Sequence, residues 1–300
     1  VAAAYRADPE GFLDRLHGPF ALAIAEPGRL LLAIDRVGAR PLYVLEHRGA
    51  VWFASRLAAL TAVPGFAPRI DDQALFEYLY FQMVPSPGTI YRGVRKLLPA
   101  QRLVVRGPRV KTGFYWSMPY RDENPAGLDV LRDEFRTLLP EVVGTSVGDD
   151  DIAVGSFLSG GTDSSTVAGT LRHLRGEPVP TYSMGFAAPG FDEMEYARIA
   201  ARHFQTRPRE YYVTADDVVE SIPLLAGYCD EPFGNASVVP AYLCARLARN
   251  DGIERMLAGD GGDEIFGGNE RYASQGVFEL YGHAPAVVRG LLESALWLPG

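Results

Sequence analysis

An apolar run at 152–158 breaks into Ser159-Gly160-Gly161-Thr162-Asp163-Ser164-Ser165, and a helical pattern starts directly behind it at 165–174. No other stretch limits the fold so strongly. A buried strand that turns into a helix through two glycines lets the backbone approach whatever sits in the turn. The first N–H groups of the helix have no intrahelical acceptor and carry partial positive charge, and the hydroxyl side chains add donors. Such a turn suits a phosphate. It is not a Walker loop, because no lysine follows the glycines. Asp163 is out of place beside a phosphate unless it holds a Mg²⁺ ion that neutralises an expelled pyrophosphate. The plainer reading is a solvated turn capped by Asp163 or Ser164. Strand, loop and helix in that order favour nucleotide binding.

The surroundings alternate. Apolar spacing predicts a helix at 128–143, strands at 152–158, 179–186, 209–213 and 255–258, and helices at 165–174, 193–204, 216–226 and 238–248. Alternation implies an α/β unit whose parallel sheet is covered on both faces. Ligands bind such sheets beyond the carboxyl ends of the strands, so the loops after Leu158, Phe186 and Ala258 are expected to converge. The last of them reads Leu257-Ala258-Gly259-Asp260-Gly261-Gly262-Asp263-Glu264-Ile265-Phe266-Gly267-Gly268. Three carboxylates on a glycine-rich turn repel one another unless a cation or a donor-rich ligand offsets them. The alternative is a solvated acidic loop.

The earlier part of the chain has another character. Apolar runs at 19–26, 30–34, 41–45 and 51–54 predict a β meander, and Asp71-Asp72 predicts the start of a helix continuing through 74–79. The stretches 101–106 and 109–116 predict a hairpin around Gly107-Pro108. A polar segment at 117–127 is the expected linker, dividing a β-rich 1–120 from an α/β 121–300. Three hundred residues agree with two domains. A formal charge of −8 and a pI near 5.2 make nucleic acid and acidic membranes poor partners, while leaving room for a local basic patch. No run reaches the ~18 apolar residues that a membrane span needs, and Arg6, Asp8 and Glu10 do not belong in a signal peptide. Two cysteines, Cys229 and Cys244, give no disulfide framework and no metal cluster, which suits the cytoplasm. Cys244 stands in an apolar stretch and is expected to be a buried thiol. The histidines lack the paired spacing of a zinc site. Starting at Val1 and ending on Trp297-Leu298-Pro299-Gly300, the chain reads as an internal piece of a longer protein.

The 159–165 loop resembles the pyrophosphate-binding loop of the N-type ATP pyrophosphatases, and residues 151–158 ahead of it resemble the version found in glutamine-dependent asparagine synthetases. The acidic loop resembles the second signature of those enzymes, in which Gly, an acidic residue, Gly and a small residue precede Asp-Glu. Gly18-Pro19-Phe20-Ala21-Leu22-Ala23-Ile24, then Asp35-Arg36-Val37-Gly38-Ala39-Arg40-Pro41-Leu42-Tyr43, then Phe53-Ala54-Ser55-Arg56 resemble in order the back half of an N-terminal-nucleophile glutaminase. Each of these three taken alone reads as ordinary strand and turn. The resemblance implies the C-terminal part of a β-rich glutaminase (Ntn-hydrolase, class II glutamine amidotransferase) domain at 1–120. Behind it, at 121–300, it implies the N-terminal part of an α/β, parallel-sheet ATP-pyrophosphatase domain.

Position by position, the resemblance implies ATP bound by Phe157, Leu158, Ser159, Gly160, Gly161, Asp163, Ser164, Ser165, Ala258 and Gly259, with Met184 against the adenine. Mg²⁺ would be shared by Asp163 and Asp263. Asp260 takes the place of a catalytic acidic residue that is glutamate in some members. Asp192 and Glu193 match an acidic step of the family as well as they match a helix start. The stretch Asp230-Glu231-Pro232-Phe233-Gly234-Asn235-Ala236-Ser237 matches a loop near the substrate. Thr162, Asn235 and Asn269 depart from the family's leucine, aspartate and tyrosine; Arg271-Tyr272 agrees with it.

The implied reaction is attack of a carboxylate, most simply that of aspartate, on the α-phosphate of ATP. Ammonia derived from glutamine then attacks the acyl-adenylate. All partners are small molecules, and a homodimer is one option for assembly. Two alternatives share the loops: a lactam-forming or cell-surface glycan amidotransferase, and a non-catalytic nucleotide-binding partner. Glutaminases of this type need a cysteine at the mature N-terminus. Val1, Cys229 and Cys244 do not supply one, so these residues alone are not expected to hydrolyse glutamine.

Overall fold

The structure, a computed structural model, describes residues 1–119, 126–148, 152–187, 192–268, 276 and 280–296. The chain forms two compact units, one of Val1–Pro125 with Asp216–Val239, the other of Ala126–Ala215 with Pro240–Gly300. Most of the expected linker, and Asp151, Phe191, Asn269 and Arg271-Tyr272, lie outside the described residues.

The first unit runs α1 (Ala2–Ala7), a 3₁₀ turn (Phe12–Arg15), β1 (Ala21–Glu26), β2 (Arg29–Ile34), β3 (Tyr43–His47), β4 (Ala50–Ala54), α2 (Leu57–Thr61), α3 (Asp72–Phe81), β5 (Val94–Lys96), β6 (Gln101–Arg106) and β7 (Arg109–Phe114). The expected single meander is corrected here. The antiparallel order β1-β2-β6-β7 makes one sheet and β4-β3-β5 another. Between them Leu32, Ile34 and Leu103 meet Leu42, Val44 and Leu97, the inward halves of period-2 strands.

The physical reason for the split is the turn at Asp35. Its side chain is 2% exposed and accepts the N–H groups of Phe20, Val37, Ala39 and Arg40 at 3.0–3.2 Å. One carboxylate thus gathers the turn that carries the chain from the first sheet to the second. Asp35→Ala strips four donors of their acceptor, at ~1–3 kcal/mol for each that stays unpaired. Local relaxation and entering water recover part of this, so urea unfolding is expected to show a loss of about 3–5 kcal/mol. Asp35→Asn keeps one acceptor oxygen and loses less. An alanine variant within about 1 kcal/mol of the parent would mean that the carboxylate does not hold the turn.

The chain continues with α4 (Leu128–Val147), β8 (Val154–Phe157), α5 (Thr162–Arg175), β9 (Pro180–Phe186), α6 (Met194–Phe204), β10 (Arg207–Val213), α7 (Ala215–Tyr228), α8 (Val238–Asn250), β11 (Arg255–Leu257), α9 (Gly262–Phe266) and α10 (Ala286–Leu296). The four strands of the second unit form the expected parallel sheet, in the order β10-β9-β8-β11. The chain steps from β8 through β9 to β10 and then returns to lay β11 on the opposite side of β8. The strand order therefore reverses at β8/β11, the place where sheets of this kind open a crevice. On one face Val154, Val179 and Leu257 meet Val143 and Val147 of α4 and Leu171 of α5. On the other Tyr182 meets Cys244 and Ala248 of α8. Cys244 is 2% exposed and burial pushes its thiol up to about 12, so it is the buried thiol expected. Among the described residues no helix is long and apolar enough to cross a membrane.

Candidate active site

The loop after β8 is shaped before any ligand arrives. Ser159 N–H donates to Ser164 Oγ at 3.2 Å, the two hydroxyl oxygens lie 3.0 Å apart, and Gly161 N–H donates to Ser159 Oγ at 3.3 Å. Gly161 is the N-cap of α5, so neither Asp163 nor Ser164 caps it, and Ser165 N–H closes the first turn on the Gly161 carbonyl at 3.1 Å. The N–H groups of the residues between are those that a helix start leaves without an intrahelical acceptor. Ser165 Oγ is buried without a hydrogen-bond partner. Gly160 has φ +90°, and a Cβ there would overlap the Tyr196–Ala197 backbone at the start of α6. Only glycine fits.

The loop after β11 lies against this one. A Cβ added at Gly259 would come within 2.8 Å of Asp163 Cβ and of the Ser164 nitrogen, and one at Gly262 would strike the Asp163 carboxylate. The first of the two signatures is thus seated on the glycines of the second. The Asp163 side chain rests beside Gly262, the residue before Asp263, and the Asp263 carboxylate lies next to Gly268. Asp260 and Asp263 are exposed and Asp163 is half-buried.

Hard carboxylate oxygens suit Mg²⁺. Among the described residues no three His, Cys, Asp or Glu side chains gather into a cage. A donor set of one or two carboxylates is what Mg²⁺ uses when phosphate and water oxygens complete its shell. The residues present therefore fit a metal that arrives with a phosphate ligand.

The remaining expected residues divide by face. Phe157 and Met184 are half-buried and both pack on the Tyr182–Cys244–Ala248 cluster. Phe157 pairs with Tyr182, and Met184 lies two residues further along β9 on the same face, so the two are diagonal neighbours. Leu158 points the other way. It is 2% exposed among Ala168, Met194 and Ala197, and its N–H donates to the Tyr182 carbonyl at 2.9 Å. Its side chain builds the wall between α5 and α6. Ala258 is exposed directly after β11.

Asp192 accepts Met194 N–H at 3.2 Å at the start of α6 and the Tyr212 hydroxyl at 3.3 Å. Asp230 pairs with Arg56 at 2.9 Å, and Glu231 with Lys96 at 2.8 Å, the latter pair 12–13% exposed at both ends. These carboxylates anchor their loop within the first unit. They also help burial hold the Tyr43 phenol well above its ordinary range. Asn235 accepts Ser237 N–H at 2.9 Å ahead of α8.

Two positioning residues drew no attention in the sequence. Ser156 Oγ lies 3.0 Å from the Phe157 carbonyl and 3.3 Å from the Leu257 carbonyl, sharing its proton between them, and Ser183 Oγ donates to the Leu158 carbonyl at 2.6 Å. They tie the ends of β8, β9 and β11 together directly beneath the loops. For Ser156 the signal was a lone hydroxyl in an otherwise apolar strand, while Ser183 stands in β9 behind Thr181 and Tyr182, which also carry hydroxyls.

Residues 134–297 match the asparagine synthase family, and residues 1–116 match the glutamine amidotransferase domain. A Mycobacterium tuberculosis protein, provisionally described as a glutamine-hydrolyzing asparagine synthetase, is 32% identical over 291 residues, covering 92% of this chain and 43% of its own. A Methanocaldococcus jannaschii protein with the same provisional description is 33% identical over 255 residues, covering 83% of this chain and 48% of its own. The glutamine-hydrolyzing asparagine synthetase 1 of Bacillus subtilis is 29% identical over 298 residues, covering 97% and 46%. The chain spans under half the length of these relatives.

Proposed function

This chain belongs to the asparagine synthase family, and from that premise we propose that it activates a carboxylate with ATP beyond the ends of β8 and β11. The products of that step are an acyl-adenylate and pyrophosphate, and ammonia then converts the adenylate to an amide and AMP. The observation that carries the reading is the seating of the Asp163 loop on Gly259 and Gly262. Strand order alone would bring the two loops near each other; this contact puts the carboxylate of one signature against the backbone of the other.

Each residue then has a task. The N–H groups at the start of α5 and the hydroxyls of Ser159 and Ser164 face the phosphates as preorganised donors, while the Ser165 hydroxyl is buried in the first turn of that helix. Ser159 and Ser164 hold each other's oxygens in place, so little reorganisation is left for the moment of reaction. Asp163 and Asp263 would hold Mg²⁺, which supplies charge neutralisation to the departing pyrophosphate. Asp260 is exposed on the same loop and takes a proton from the attacking ammonia. Phe157 and Met184 offer an apolar surface for the adenine, while Leu158 serves through the wall it builds.

The names of the relatives support aspartate as the carboxylate and glutamine as the source of ammonia. The two matches, ending at 116 and beginning at 134, support a division near 120 between a glutaminase part and a synthetase part. A cytoplasmic location goes with that chemistry.

Aspartate is expected to stimulate AMP and pyrophosphate formation in the protein that carries this chain. Glutamate, β-amino carboxylates and uronic acids are expected not to do so. Preference for one of these others would overturn aspartate and keep the activation chemistry. Stimulation by none of them would contradict the proposal.

A further inference from the structure

One face of the β1-β2-β6-β7 sheet carries a row of like charges. Register sets Arg29 directly opposite Arg106 and Arg106 directly opposite Arg109. The next row is Leu31, Val104 and Lys111, and Arg102 follows in the row after it. Alternation puts all of these on the side where Tyr5, Phe12 and Leu13 cover Leu31 and Ala33, away from the second sheet. Like charges directly opposed across strands destabilise a sheet, so this arrangement has a cost that the fold itself does not require.

Carboxylates offset part of it. Glu26 pairs with Arg29 at 3.3 Å, and the exposed Glu10 lies 3.7 Å from Arg29 and 3.5 Å from Arg102. Among the described residues these are the ion pairs of this face, and Arg106, Arg109 and Lys111 enter none. Arg29 is held in place by donating to the Tyr5 hydroxyl, and its Nε is buried without an acceptor. The five cations and Glu10 line a cavity of about 860 Å³. That volume falls in the range of ~300–1,000 Å³ usual for small-molecule sites.

We infer that this face is a binding site for a small, multiply phosphorylated anion, gripped by Arg29, Arg106, Arg109 and Lys111. The planar guanidinium fork matches phosphate oxygens two at a time, and the exposed forks of Arg106 and Arg109, with the charges of Lys111 and the held Arg29 beside them, suit several phosphates. A long polyanion is disfavoured, because the chain as a whole carries −8 and would repel it beyond the patch. A small ligand feels mainly the local field, since screening limits the rest to about 10 Å at moderate salt. The site lies in the first unit and uses no residue of the nucleotide loop.

The test is calorimetric titration of the full chain with inorganic tripolyphosphate, without Mg²⁺ and at about 0.1 M salt. Arg106→Ala with Arg109→Ala is expected to weaken binding at least about tenfold. Arg106→Gln with Arg109→Gln, which keeps aliphatic bulk, is expected to do the same. Both residues are exposed, and removing opposed like charges should leave the thermal midpoint unchanged or higher. A control pair, Arg136→Ala with Arg249→Ala, is expected to stay within about twofold of the parent. No binding by the parent chain overturns the inference, as does an equal loss in the control pair. A loss in Ser159→Ala without one in the arginine variants places the anion in the nucleotide loop instead. Arginine-dependent binding of octaglutamate, with none of tripolyphosphate, would make the face a surface for an acidic peptide and overturn the ligand class.

Discussion

Asp163→Asn is expected to lower carboxylate-dependent pyrophosphate release by about 10²–10⁴, because charge stabilisation by a metal is worth several kcal/mol and each 1.36 kcal/mol is tenfold in rate. The substitution keeps the shape of the side chain, so its seat against Gly259 and Gly262 survives and unfolding should be unchanged. What disappears is the negative charge. A metal that loses one anionic ligand binds more weakly, so raising Mg²⁺ should restore part of the rate, and Asp263→Asn should behave alike. Release at the parent rate in either variant would reduce that residue to a polar side chain on a turn. Loss of folding in Asp163→Asn would instead show that its carboxylate is a structural acceptor for the second loop.

Asp260→Asn should divide the reaction in two. If the carboxylate acts on the attacking ammonia, it works after the adenylate exists. The variant is then expected to release pyrophosphate in a first turnover while amide formation falls by the ~10²–10⁴ typical of removing a general base. Asp260→Glu keeps the carboxylate and moves it outward by about one methylene, so its effect is milder. The exposed position of Asp260 favours a role that needs a proton to leave to water. Loss of nucleotide binding in Asp260→Asn would put the residue with the metal ligands. Unchanged amide formation would leave it a solvated side chain.

The loop between β8 and α5 was legible as a structure because its signals are local: an apolar strand, two glycines and a helix start within a few residues. The parallel sheet followed from the alternation of periods, and the contact of the two loops from the place of their strands in such a sheet. What escaped depended on distant partners. Nothing near 35–41 announces that the chain changes sheets there, since Asp35 works through N–H groups as far back as Phe20. The pairing of Lys96 with Glu231 spans 135 residues, and so the anchoring of the 230–235 loop on the first unit could not be read. Short elements such as β5, with three residues, and α2, with five, carry too little periodicity to be seen. Resemblance assigns Leu158 to the nucleotide pocket. Its direction into the α5–α6 wall follows from the alternation of β8, which resemblance does not report. The basic face was the reverse case. The overall acidity of the chain hid a row that exists only once β2, β6 and β7 are in register.

The central claim is that a carboxylate oxygen bonds to the α-phosphate at this site. A single turnover of the protein carrying this chain, with ATP, ammonium and aspartate labelled with ¹⁸O in its side-chain carboxylate, tests it most directly. The oxygen that attacks phosphorus stays with it when ammonia displaces AMP from the carbonyl carbon. One ¹⁸O in the phosphate of AMP and none in pyrophosphate is the predicted result. Unlabelled AMP, or label in inorganic phosphate formed together with ADP, would contradict the account.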